Sequence, residues 1–187
     1  IESSTAVKVA CSAAADISHI VQVVASARSS CALDDKGQVW GWGSDAYANL
    51  GRGQECNKAN NCINVNATPI RINVITADAN LVNSIAPTPQ LASDPSIGLE
   101  KVTQLATGRD HVLALTNKEA VYAWGLNASS QIGYNGEKFN ATESAWANTI
   151  LTPTKLPWFT DKNIRRIYAN GNASYALLDN VSSNNGT

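Results

Sequence analysis

The sequence contains no methionine, two histidines and a formal net charge of −1. A charge so near balance supplies no field for holding nucleic acid or an anionic membrane. Basic residues do not cluster, apart from Arg165-Arg166, so no nucleic-acid partner is expected. No apolar run approaches the roughly 18 residues that suggest a membrane span. The opening stretch IESSTAVKVACSAAADIS lacks a basic end followed by an apolar block, so no secretion signal is visible. No phosphate-binding loop is present, because Gly41 and Gly43 are not followed by Lys-Ser/Thr. His19 and His111 stand far apart, which leaves neither a metal site nor a Cys-His nucleophile well supported. Asp34 and Asp35 are adjacent, and an extended chain sends adjacent side chains to opposite faces. They belong to a turn and not to an acid/base pair. No catalytic residue, cofactor or metal is expected. The chain starts at Ile1 without Met, and the expectation is a processed product or a piece of something longer.

What is present begins with four cysteines: Cys11, Cys31, Cys56 and Cys62. An even count permits two disulfides, with three possible pairings. The segment CNKANNC reads as a small stapled loop, Cys56–Cys62, and Cys11–Cys31 would then close the second. The competing reading is four free thiols, two of them in apolar surroundings. N-x-S/T acceptors occur at Asn66, Asn127, Asn140, Asn172, Asn180 and Asn185. In a eukaryotic secretory protein some would carry glycans at the surface; in a bacterial one they are polar loop residues. Cysteines and acceptors together set an extracellular or secreted expectation.

The main signal is a repeat. QVWGWG and AVYAWG align without a gap: Val39 faces Val121, Trp42 faces Trp124 and Gly43 faces Gly125. Downstream, Gly51 faces Gly133. Upstream, Ser26 faces Gly108, Ser29 faces His111, and Ala32-Leu33 faces Ala114-Leu115. A third, partial copy runs from Ile164 to Asn180 and retains Ile167, Gly171 and Ala176-Leu177. Each copy reads as short strands around polar turns, with β-branched and aromatic residues on the returning strand. Gly37 supplies the positive φ that such a turn often needs. The repeats lie near 20–53, 102–135 and 164–180, within one domain over 1–187. Residues 54–100 and 136–160 read as insertions, although IRINVIT alternates like one strand. Trp146, Trp158 and Phe159 anchor the second insertion or contact a partner.

Gly108, His111, Ala114-Leu115, Val121-Tyr122, Trp124-Gly125, Gln131 and Gly133 together resemble the repeat of the regulator-of-chromosome-condensation family. The first copy departs from that pattern at Ser26 and Ser29, and the third departs further. The resemblance implies an all-β fold of propeller blades, incomplete, with two good repeats and one partial one. It also implies architectural roles: Trp42 and Trp124 buried between blades, Gly43 and Gly125 allowing close backbone approach, and His111 a packed core residue.

The expected function is a non-catalytic extracellular binding or assembly module that uses propeller edges and long loops. Its partner is another protein or further copies of itself. Secreted relatives of the fold include a bacterial inhibitor that grips an enzyme. The alternatives are a guanine-nucleotide exchange factor, the activity for which the family is named, and a glycan-binding propeller. Fold alone does not choose among them.

Overall fold

A computed structural model of the chain describes residues 9, 17, 19–53, 65–74, 100–133 and 149–179. Among these residues there is no α-helix, and no helix is long and apolar enough to cross a membrane. The first blade is a four-stranded antiparallel meander of β1 (Ile20–Ala25), β2 (Ser29–Asp34), β3 (Val39–Ser44) and β4 (Val65–Ile72). The second repeats it with β5 (Val102–Thr107), β6 (His111–Thr116), β7 (Val121–Leu126) and β8 (Thr149–Lys155). The third pairs β9 (Ile164–Asn170) with β10 (Ala173–Leu178). The architecture is an incomplete β-propeller.

Local chemistry explains the hairpins. Asp34 Oδ1 accepts the N–H groups of Lys36 and Gln38, which fixes the turn between β2 and β3. The Asp34 carboxylate also accepts the Trp40 indole N–H at 3.1 Å. Thr116 does the same turn work in the second blade, accepting from Lys118 and Ala120. Gly37 takes φ +80° and its counterpart Glu119 takes φ +60°, so the turn imposes the left-handed conformation on either residue.

The repeat seen in the sequence is also the repeat of strand register. Trp42 stands opposite Ser30 as Trp124 stands opposite Val112. In the third blade Ala176 pairs with Ile167 as Ala114 pairs with Leu105. Adjacent blades are latched by glutamine. Gln22 exchanges two bonds of 2.8 Å with the Leu105 main chain, and Gln104 does the same with Ile167 at 2.9 and 3.0 Å. A backbone bond accompanies each latch: Ala27 N–H to Arg109 O at 3.0 Å, then Arg109 N–H to Gly171 O at 2.8 Å. Gly171 thus occupies the place of Arg109, one residue beyond that of Gly108.

The stretches expected to be insertions each contain the outer strand of a blade. β4 lies within 54–100 and β8 within 136–160. Both carry a Thr-Pro pair at the same register, since Ile70 faces Gly41 and Thr154 faces Ala123. Proline is tolerated because each strand is the outer edge of its sheet. The pairs are displaced two residues from the main repeat, so an alignment without gaps passes over them. IRINVIT contributes only its first residues to β4, and Val74 is buried beyond the strand.

The core lies between blades. Cys31, Leu33 and Val39 of the first blade meet Val102, Leu105 and Val112 of the second, whose Leu113, Leu115 and Val121 face Ile164 and Ile167. Cys31 corrects the expected pairing with Cys11. It is a free thiol, 1 % exposed, and β2 points it into this core as a small apolar side chain. Burial pushes its pKa up to about 12. Cys11, Cys56 and Cys62 lie outside the described residues.

Candidate functional site

The repeat residues are placed by the strands just described. Trp124 is fully buried, and its indole N–H crosses to the first blade, donating to Asn49 O at 2.9 Å. Asn49 sits in the loop after β3, where the buried Asp45 carboxylate accepts the Leu50 N–H at 2.8 Å and Arg52 at 2.7 Å. Burial still leaves the Asp45 pKa raised. Asn127 plays this part in the second blade, accepting the Ile132 N–H at 2.9 Å. Trp42 departs from expectation. It is only half-buried, because among the described residues no blade packs on its side. The indole buried in the first blade is that of Trp40, 5 % exposed.

Gly43 and Gly125 do permit close approach. Their φ values are +99° and +98°, and a Cβ on either would sit 2.6 Å from the carbonyl of Arg28 or Asp110. Gly108 leaves room for the His111 ring, and a Cβ there would also lie 2.7 Å from Gly171 O. Gly51 and Gly133 occupy matching loop positions after β3 and β7.

His111 is fully buried and its Nε2 lies 2.9 Å from Ser174 Oγ. A serine and a histidine in contact invite comparison with a hydrolase. The rest of that arrangement is missing. His111 Nδ1 is buried without a partner, so no carboxylate orients the ring. Burial lowers its pKa to about 4, opposed by the Asp110 charge, which makes it a weak base at neutral pH. With Nδ1 bare, the favoured tautomer carries its proton on Nε2 and donates to Ser174. The pair fastens the second blade to the third. Among the described residues no group of three or more metal-ligating side chains occurs.

Among the described residues, the first and third blades expose apolar side chains on their outer faces. Equivalent positions change from buried to exposed there. Leu105 is 1 % exposed, whereas Val23 at the same repeat position is 60 % exposed. Leu113 is 3 % exposed, and its equivalent Tyr175 is 59 % exposed. Ile20, Val21, Tyr168, Leu177 and Leu178 extend these two apolar faces. Beside β10 lies a cavity of about 470 Å³ whose wall includes Gln131, Ile132, Gly133, Ser174 and Ala176, with Trp158 and Phe159. Trp158 is half-exposed. Trp146 lies outside the described residues.

The glycan acceptors divide. Asn172 is exposed, and its amide nitrogen lies 3.4 Å from Ser129 Oγ. Asn66 lies in β4, is partly buried and keeps its Nδ2 out of solvent. Asn127 is half-buried and uses its side-chain carbonyl to shape the loop. Asn140, Asn180 and Asn185 lie outside the described residues.

Two family models match the chain, both described as the regulator of chromosome condensation (RCC1) repeat, one over residues 20–48 and 102–131 and one over 36–115. The RCC1 domain-containing protein RUG3, mitochondrial, of Arabidopsis thaliana is 27 % identical over 79 % of this chain and 24 % of its own length. The guanine nucleotide exchange factor SRM1 of Saccharomyces cerevisiae is 26 % identical over 61 % of the chain and 18 % of its own. The chain thus spans about a quarter or less of these relatives. The crystal structure of Prp20p from Saccharomyces cerevisiae, reported with its binding properties to Gsp1p and histones, superposes with a TM-score of 0.55. That match has 16 % identity and covers 89 % of this chain and 32 % of Prp20p.

Proposed function

From the premise that the chain belongs to the regulator of chromosome condensation (RCC1) repeat family, we propose that it is a non-catalytic protein-binding and assembly module. One observation carries the reading: Val23, Tyr168, Tyr175 and Leu177 are exposed on the outer faces of the first and third blades, where the middle blade buries their equivalents Leu105, Ala106, Leu113 and Leu115. Exposed apolar surface marks an interaction site, and open strand edges pair with further polypeptide. Sedimentation velocity over a concentration series tests this. The reading expects association that grows with concentration. A monodisperse 19.8 kDa species at every concentration, with no protein ligand, would sink it.

The proposal retains an extracellular address, supported by the exposed acceptor Asn172 and the number of N-x-S/T sites. The mass of the native protein before and after deglycosylation tests it, and an unchanged mass would remove the support. A second reading is nucleotide exchange on a small GTPase, favoured by the name of the yeast relative SRM1. Accelerated release of labelled guanine nucleotide from a GTPase would select it.

A further inference from the structure

We propose that Arg28 and Arg109, on the loops that join β1 to β2 and β5 to β6, form a clamp for a carboxylate side chain of a protein partner. The proposal rests on the protein-binding reading above and adds the chemistry of one contact. Both guanidiniums turn to a single buried carboxylate. Arg28 Nη2 lies 3.5 Å from Asp110 Oδ1, and Arg109 Nε lies 3.4 Å from Asp110 Oδ2. Charge-assisted bonds of this kind close to about 2.7–2.9 Å. Arg52 and Asp45 reach that limit in the first blade, at 2.7 Å. The Asp110 contacts are loose by comparison, and one carboxylate cannot fill two guanidinium forks. Among the described residues no second carboxylate pairs with either arginine. The cluster thus carries a net positive charge at the surface, where Arg28 is half-exposed and Arg109 more so.

The blades do not need these side chains. Arg28 holds the repeat position of Asp110, and Ala27 holds that of Arg109. In the third blade Gly171 and Asn172 stand at those two places. The main-chain bonds between the loops form whatever the residue: Ala27 N–H to Arg109 O, and Arg109 N–H to Gly171 O. Ala and Gly therefore serve the architecture, and the two arginines answer to something else.

The loops present the arginines rigidly. Arg28 O accepts the Ser44 N–H and Asp110 O accepts the Leu126 N–H, both at 2.8 Å. The Arg28 guanidinium lies over the Tyr47 ring, 5.1 Å from its centroid. Stacking holds the guanidinium plane and leaves its in-plane N–H donors to a ligand. A fork already positioned loses less freedom on binding than a mobile one. Charge selects the ligand. Two guanidiniums and one carboxylate balance a single further negative charge, which an Asp or Glu side chain supplies. A phosphate monoester carries about two at neutral pH and would set the second against Asp110.

The test uses the intact chain and a rhodamine-labelled hexaglutamate peptide at low ionic strength, read by fluorescence anisotropy. Saturable binding is expected, weakened by about fivefold or more in Arg28→Gln and in Arg109→Gln, the upper end for an exposed ion pair. Lys118→Gln, at the far end of β6 from Asp110, should leave binding unchanged. Asp110→Asn copies Asn172 of the third blade. It should tighten binding by about threefold, because it removes the competing carboxylate. A general loss of folding would move that variant the other way. No binding, full affinity in either arginine variant, equal loss in Lys118→Gln, or unchanged or weaker binding in Asp110→Asn overturns the proposal. So does a phosphoserine peptide that binds more tightly than hexaglutamate. If the chain associates in sedimentation yet ignores hexaglutamate, this site is wrong and the protein-binding reading survives. If it does neither, both fall.

Discussion

Trp124 and Trp42 hold one repeat position, and replacing each by Ala separates what the repeat supplies from what a neighbouring blade supplies. The Trp124 indole has no solvent exposure and bridges two blades through the Asn49 carbonyl. Removing a buried Trp costs about 3–5 kcal/mol, and the orphaned carbonyl adds about 1 kcal/mol. Trp42 is half-buried, so its removal costs about 1–2 kcal/mol on the area lost. In urea, with a slope of about 2 kcal/mol/M, the Trp124→Ala midpoint falls by roughly 2 M and the Trp42→Ala midpoint by less than about 1 M. Circular dichroism is the suitable probe, since the substitutions change the fluorescence. Equal midpoint shifts would refute the reasoning that burial at this position comes from the preceding blade. Loss of partner binding by Trp124→Ala with an unchanged midpoint would refute its structural role.

The buried His111 predicts a pH dependence. Its folded pKa, about 4, lies below the unfolded value near 6.5. The unfolded chain therefore binds the extra proton, so stability is full above about pH 6.5 and declines as pH falls towards 4. The loss is on the order of 3 kcal/mol, and His111→Gln should flatten that part of a melting-temperature profile; an unchanged profile would contradict the burial. Gln104→Ala removes both bonds to Ile167. It should speed amide exchange in β9 and β10 by roughly tenfold for each 1.4 kcal/mol lost, while β6 stays protected; equal acceleration in all three would deny that the latch is local. Cys31 should resist alkylation in the folded chain and react at the unfolding rate, because its thiol is buried and its pKa is raised to about 12. Rapid native modification would refute the core placement, and a mapped Cys11–Cys31 disulfide would restore the rejected pairing.

The blade pattern was legible because the repeat constrains both side chains and register. Trp-Gly, Ala-Leu and Gly-His each mark a place where strands approach closely, and the structure uses Gly125, Gly43 and Gly108 in that way. The outer strands were less legible. Their Thr-Pro pairs, at Pro69 and Pro153, are displaced against the main repeat, and proline argues against a strand unless the strand is known to be an edge. The glutamine latches were also overlooked, although Gln22 and Gln104 keep the main spacing. A polar residue within an apolar strand was their signal. The third blade has Arg166 at that position, opposite Leu177 as Gln104 is opposite Leu115. Burial itself was least legible. Trp42 matches Trp124 in sequence, but exposure depends on what lies on the other side of the blade.

The central claim is that the exposed apolar faces of the first and third blades pack against further polypeptide. Native-state amide hydrogen exchange, followed strand by strand at low and high protein concentration, tests it most directly. The account predicts strong protection of β6 and β7 throughout, with β1 and β10 exchanging quickly in dilute solution and slowly once the chain associates. Protection of β1 and β10 equal to that of β6 in a dilute monomer would contradict it.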